Sequence, residues 1–174
     1  MRHRILLFVL LLLLCGCGQK SDMHSSTVQN EMKEYSFEGT MFRYDDQEYD
    51  LSEREGAINS ILMTTPVGQH IVVEGHIGPK VGMYCIFDTE QMTFVRDLTG
   101  TSLIWREDDI RTCLYVFWSD VCDYDGNVVA SLDLKEPEFI YEIRFGEEPE
   151  TLEVEIATES GFRTELLTLE GNTL

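Results

Sequence analysis

Apolar and polar positions divide the chain into three zones. Ile5 to Leu14 is an unbroken apolar run, and Gly18 to Glu34 is polar, aperiodic and free of aromatic residues. From Tyr35 onward short apolar stretches alternate with turn residues. There the dominant period is two, the signature of strands. It is clearest in Phe139 to Phe145 and Leu152 to Ile156. Further strands are expected at Phe37 to Tyr44, Ile71 to Ile77, Met83 to Asp88, Thr93 to Leu98, Thr112 to Trp118, Val128 to Leu134 and Arg163 to Leu169. No stretch carries a long helical period. Ser52-Glu53-Arg54-Glu55 has the spacing of a capping box, but Gly56 follows at once and limits it to one short helical turn.

The strands repeat. A shift of 36 positions lays Asp97-Leu98 on Asp133-Leu134 and Leu103-Ile104-Trp105 on Phe139-Ile140-Tyr141. Hairpin turns precede these pairs at Asp88 to Gln91 and at Asp123 to Asn127, with a weaker copy around Tyr44 to Leu51 and a fourth turn at Thr158 to Gly161. Units of this kind look like propeller blades, yet blades of ~40 to 45 residues would need more chain than Tyr35 to Leu174 provides for a closed ring. The expected fold is therefore all-β: repeated β-hairpins forming a small, incomplete propeller-like domain or a β-sandwich.

Arg2 and Arg4 stand before the first apolar run and Leu14-Cys15-Gly16-Cys17 ends it, the layout of an export signal. A membrane-spanning helix takes ~20 apolar residues, so this run is too short to remain as an anchor. Its ending resembles the lipobox of bacterial lipoproteins, in which a peptidase cuts before a cysteine whose thiol has been diacylated. That resemblance implies cleavage after Gly16 and a lipid on Cys17. Cys15 competes less well, because Leu14 is bulky where the peptidase takes a small residue. An ordinary secretory signal is the alternative. The expected organisation is a signal peptide over 1–16, a lipidated flexible tether over 17–34 and an extracytoplasmic domain over 35–174, held at the cell membrane and facing outward.

Charge narrows the partners. Lys and Arg total 13 against 32 Asp and Glu, a formal net charge of −19, and loss of Arg2 and Arg4 with the leader makes the remainder more acidic still. Nucleic acid is excluded, since its binding rests on cations that neutralise phosphates. Anionic lipid is not attracted either, leaving the acyl chains on Cys17 as the membrane contact. Such a field favours cations, basic peptides or an envelope protein carrying them, and it also keeps an exported protein soluble. Of the domain cysteines, Cys85, Cys113 and Cys122, at most one pair can bridge; their apolar surroundings favour buried thiols.

Candidate chemistry is sparse. Asp120, Asp123 and Asp125 surround Gly126 in the manner of a calcium loop, but an EF-hand register places Val121 and Leu132 at two ligand positions, and Asp-Gly is also a hairpin turn. His70, Glu74 and His76 fall on one face of a strand and form a conceivable metal trio, or simply polar residues on a wet face. Gly75 to Gly82 is glycine-rich without a phosphate-loop pattern, and no HExxH, GxSxG or paired-cysteine spacing occurs, so no cofactor is expected. Acidic pairs such as Asp45-Asp46 and Asp108-Asp109 leave open a carboxylate-based hydrolase, which depends on a distance across a cleft. Alternation buries Tyr115 and Phe117 on one side and turns Trp118 to the other. Trp118 or Trp105 is the expected binding anchor at a groove or blade junction, against ordinary core packing.

The runs YCIFDTEQMTFVRDLTG (84–100) and YVFWSDVCDYDGNVVASLDL (115–134) resemble propeller-like extracellular domains of clostridial-type lipoproteins and of membrane-bound β-lactam-sensing metallopeptidases. The resemblance covers roughly Asp50 to Phe145 and brings no catalytic residues with it, because the peptidase portion of such sensors is absent. It implies a displayed, non-catalytic binding or interaction module at the cell envelope. A carboxylate hydrolase and a calcium-responsive module are the alternatives.

Overall fold

The computed structural model describes residues 33–78, 81–148 and 150–169; the leader, Cys15, Cys17 and nearly all of the tether lie outside the described residues. Four antiparallel sheets follow one another along the chain, each a meander in sequence order. The first holds β1 (Tyr35–Glu38), β2 (Met41–Tyr44) and β3 (Gln47–Asp50). The second holds β4 (Ser60–Val67), β5 (His70–Gly78), β6 (Val81–Asp88) and β7 (Thr93–Gly100). The third holds β8 (Leu103–Arg106), β9 (Asp109–Phe117), β10 (Asp120–Asp123) and β11 (Val128–Ser131), and the fourth β12 (Phe139–Phe145), β13 (Thr151–Thr158) and β14 (Gly161–Thr168). The domain is all-β. A single 3-10 turn, Leu51–Glu53, occurs among the described residues where one helical turn was expected, and its cap is Asp50, which accepts from the Ser52 N–H at 3.0 Å.

Three apolar cores join the sheets in series. The first packs Phe42, Tyr44 and Leu51 against Ile71, Val73, Met83, Cys85 and Phe87 of the second sheet. The opposite face of that sheet presents Val72, Tyr84, Ile86 and Leu98 to Ile110 and Cys113 of the third. Leu114, Val116, Val121 and Val129 then meet Ile140, Ile143, Leu152, Val154 and Ile156 of the fourth. A sheet covered on both faces has no wet side, so Ile71–Val73 and Met83–Phe87 read as unbroken apolar runs. The fourth sheet has one face in that core, and its strands alternate for that reason. Among the described residues no core joins the fourth sheet back to the first; the stack is open.

Phe87 fixes the first junction, with the ring centroids of Phe42, Tyr44, Tyr49 and Phe94 each 5.1 Å away. The junctions beyond it depend on the crossing between β7 and β8. There the Thr101 N–H donates to the Val116 carbonyl at 3.1 Å and the Val116 N–H to the Ser102 carbonyl at 3.0 Å, while the Ile143 N–H donates to Ser102 Oγ at 3.3 Å. One short segment thus binds the second, third and fourth sheets.

The repeat has a structural counterpart. Leu103 and Phe139, related by the 36-residue shift, open β8 and β12, and the four hairpins marked by turn residues are the last two strands of the four sheets. The stretch expected as one strand at Phe37 to Tyr44 is two, β1 and β2, turned at Gly39 with φ +62°. Strand β4 carries Pro66, which an edge strand accommodates because its outward N–H has no ladder partner to lose.

Candidate functional site

The β7–β8 crossing separates two cavities, and Thr101 lines both. The larger, about 690 Å³, is a groove lined by Phe117 and Trp118 together with Leu134, Pro137, Phe139 and Ile140. At its rim the Glu138 carboxylate is held by Arg163 at 3.1 Å, which leaves the groove itself apolar. The Lys135 N–H and Arg163 hold the Glu138 carboxyl below its ordinary range.

Trp118 takes the first position of the two-residue turn between β9 and β10, with φ +60° and 76% of its surface exposed. A positive φ costs a bulky residue energy, and such turns ordinarily take Gly, Asn or Asp. The fold therefore holds a large apolar ring in water on a strained backbone, an arrangement characteristic of binding positions. Phe117 is itself 45% exposed and meets the Trp118 ring edge-on at 6.3 Å. The expected burial of Phe117 beside Tyr115 does not occur: on that face of β9 the second core takes Cys113 and Tyr115 and does not extend to Phe117.

The smaller cavity, about 390 Å³, lies where β4, β8 and β12, the opening strands of three sheets, approach one another. Met63, Tyr84, Trp105 and Tyr141 supply its apolar and aromatic lining, and Glu74 and Glu142 its carboxylates. Both Glu142 oxygens bond Arg144. Among the described residues no hydrogen bond or ion pair reaches the Glu74 carboxylate. Burial pushes the Glu74 carboxyl above its ordinary range against the opposing influence of His76, and the Tyr84 phenol is raised by burial and by Glu74.

The two tryptophans are thus in separate cavities on either side of Thr101. The metal candidates do not gather. His70 lies 3.8 Å from Asp88, while His76 stands six residues further along β5, roughly 20 Å at 3.3 Å per residue. Of these three residues only Glu74 lines the small cavity. Asp120 accepts from Ser131 Oγ at 2.6 Å, and Asp123 closes the β10–β11 turn by accepting from the Asn127 N–H at 2.8 Å and Nδ2 at 2.9 Å. Asp125 sits exposed in that turn. Among the described residues no three His, Cys, Asp or Glu side chains are placed to share a metal ion. Asp45 and Asp108 are likewise turn residues, Asp45 pairing with Lys33.

Cys85, Cys113 and Cys122 are free and buried. Burial pushes the Cys113 thiol up to about 12 and raises the other two, so none supplies a thiolate nucleophile near neutrality. Tyr84, Tyr141 and Glu142 went unrecognised as cavity residues, although a signal for one pair existed. The 36-residue shift lays Trp105 on Tyr141, and both line the same cavity.

No protein-family model matches the chain, and no curated protein matches it.

Proposed function

We propose that this chain is an exported lipoprotein, anchored outside the cytoplasm by a lipid on Cys17, whose all-β domain is a non-catalytic binding module for a partner segment that is both apolar and basic. The observation that carries the reading is Trp118, exposed and strained at the edge of an apolar groove. Exposed tryptophans beside such grooves are typical anchors of recognition, since the ring contributes a large contact area with little loss of rotational freedom. The excess of 32 acidic over 13 basic residues selects a cationic partner and hastens its approach.

A second reading, hydrolysis by paired carboxylates, draws on the two glutamates of the small cavity: two carboxyls sharing one cavity, one of them desolvated, is the arrangement of an acid and its counterpart. It is less well supported because Arg144 occupies both oxygens of Glu142, leaving Glu74 without a second group free to act as base or nucleophile.

Two measurements test the proposal. Mass spectrometry of the native protein should find a diacylglyceryl group on Cys17, and Cys17→Ser should move the protein out of the membrane fraction; an intact Met1 on a cytosolic protein would refute the address. A peptide alternating Lys and Phe should bind the domain, whereas its Glu-for-Lys counterpart should not. Equal binding of both would refute the partner chemistry.

A further inference from the structure

We infer that the cavity between β4, β8 and β12 is a binding site for an alkylammonium group, with Tyr84, Trp105 and Tyr141 as its aromatic walls and Glu74 as the counter-charge. This deepens the reading of the domain as a binding module but concerns a different cavity from the Trp118 groove.

Three observations converge on a cation. Aromatic side chains attract positive charge through the negative faces of their rings, and three of them surround this space. Glu74 enters the same space with no hydrogen bond or ion pair among the described residues, unlike Glu142, which Arg144 satisfies. Any occupant expels water from the Glu74 carboxylate, so a neutral apolar ligand would deepen that desolvation and an anion would add repulsion; an ammonium group offsets the penalty with its own charge. The size also fits: about 390 Å³ is at the small end of ligand sites, enough for a charged head and a short stem beside Met63 and Leu103.

The ammonium has two sources, the side chain of a lysine-bearing partner or a quaternary headgroup. Both share the chemistry the cavity selects, and the experiment separates them. With Trp118→Phe as background, Trp105 is the remaining tryptophan and reports on its own cavity. Nα-acetyl-lysine methylamide and tetramethylammonium are titrated against the emission of Trp105, with Nα-acetyl-norleucine methylamide as neutral match.

The expected result is a saturable change with a cation, at least tenfold weaker with the norleucine compound, and about tenfold weaker for the cation in Glu74→Gln. Tighter binding of the lysine compound assigns a protein partner, and tighter binding of tetramethylammonium a quaternary headgroup. Equal binding of the neutral compound, unchanged binding in Glu74→Gln, or no saturable response to either cation would overturn the inference. Because Trp118 is replaced in every arm, failure here leaves the peptide test of the groove intact, and failure of the groove leaves this test intact.

Discussion

Gly100 passes so close to Val116 that a Cβ at position 100 would lie 2.2 Å from the Val116 carbonyl oxygen and 3.2 Å from the Tyr115 ring. That carbonyl also accepts the Thr101 N–H, so it cannot retreat without loosening the crossing that binds three sheets. The contact lies beside both cavities, since Gly100 borders the groove and Thr101 and Ser102 border the smaller space.

Gly100→Ala should therefore destabilise the domain by about 2 kcal/mol, a fall in melting temperature of roughly 8 °C. Gly78→Ala is the matched control, because a Cβ there meets nothing within 4 Å. Thermal melts followed by circular dichroism check the pair, and similar melting of the two variants would contradict the packing described.

Asp88 ties the hairpin between β6 and β7. Its Oδ1 accepts from the N–H groups of Glu90 at 2.9 Å and Gln91 at 2.8 Å, and its Oδ2 from Gln91 Nε2 at 2.9 Å. Burial alone would raise this carboxyl, but those bonds and nearby His70 outweigh it and hold it below the ordinary carboxylate range. A lowered value means stability present above the unfolded-state pKa and lost as pH falls through the folded one. Asp88→Ala should cost about 2 kcal/mol at pH 7, with the difference from the parent shrinking in urea melts below about pH 4.

Glu74 has the opposite sign. Its carboxyl is raised by burial, so its protonated form is favoured by folding, and stability present at low pH is lost as pH rises through the folded value. The titratable groups around it are His76 on its own strand, Tyr84 across the β5–β6 ladder and Glu142 from β12. Glu74→Gln should melt higher than the parent at pH 7, with the advantage vanishing in acid. A lower melting temperature at pH 7 would mean that Glu74 is structurally supported after all.

The all-β class was legible because a strand with one wet face must alternate; the fourth sheet, with its single core face, alternates most clearly. The inner sheets were legible differently: Met83 to Phe87 is uniformly apolar because successive residues enter different cores. Strand β4 escaped notice because Leu62, Met63 and Thr64 lack a clean period around the register shift between Ile61 and Met63, and Pro66 argues against a strand unless the edge position is known. The cavities were scarcely legible at all. Glu74, Tyr84, Trp105 and Tyr141 come from separate strands, and only the order of stacking brings them together. Trp118 could be singled out because alternation turns it away from Tyr115 and Phe117, but it was expected to end a strand, and its place in the turn and its positive φ belong to the three-dimensional path of the hairpin.

The most direct test of the account is Trp118→Ala, read for stability and binding on the same sample. The ring is 76% exposed and alanine keeps the same Cβ strain at this φ, so the variant should melt within about 2 °C of the parent while losing at least tenfold in affinity for the Lys/Phe peptide. A melting temperature lower by about 8 °C or more with peptide affinity unchanged would make Trp118 a structural residue and contradict the central claim.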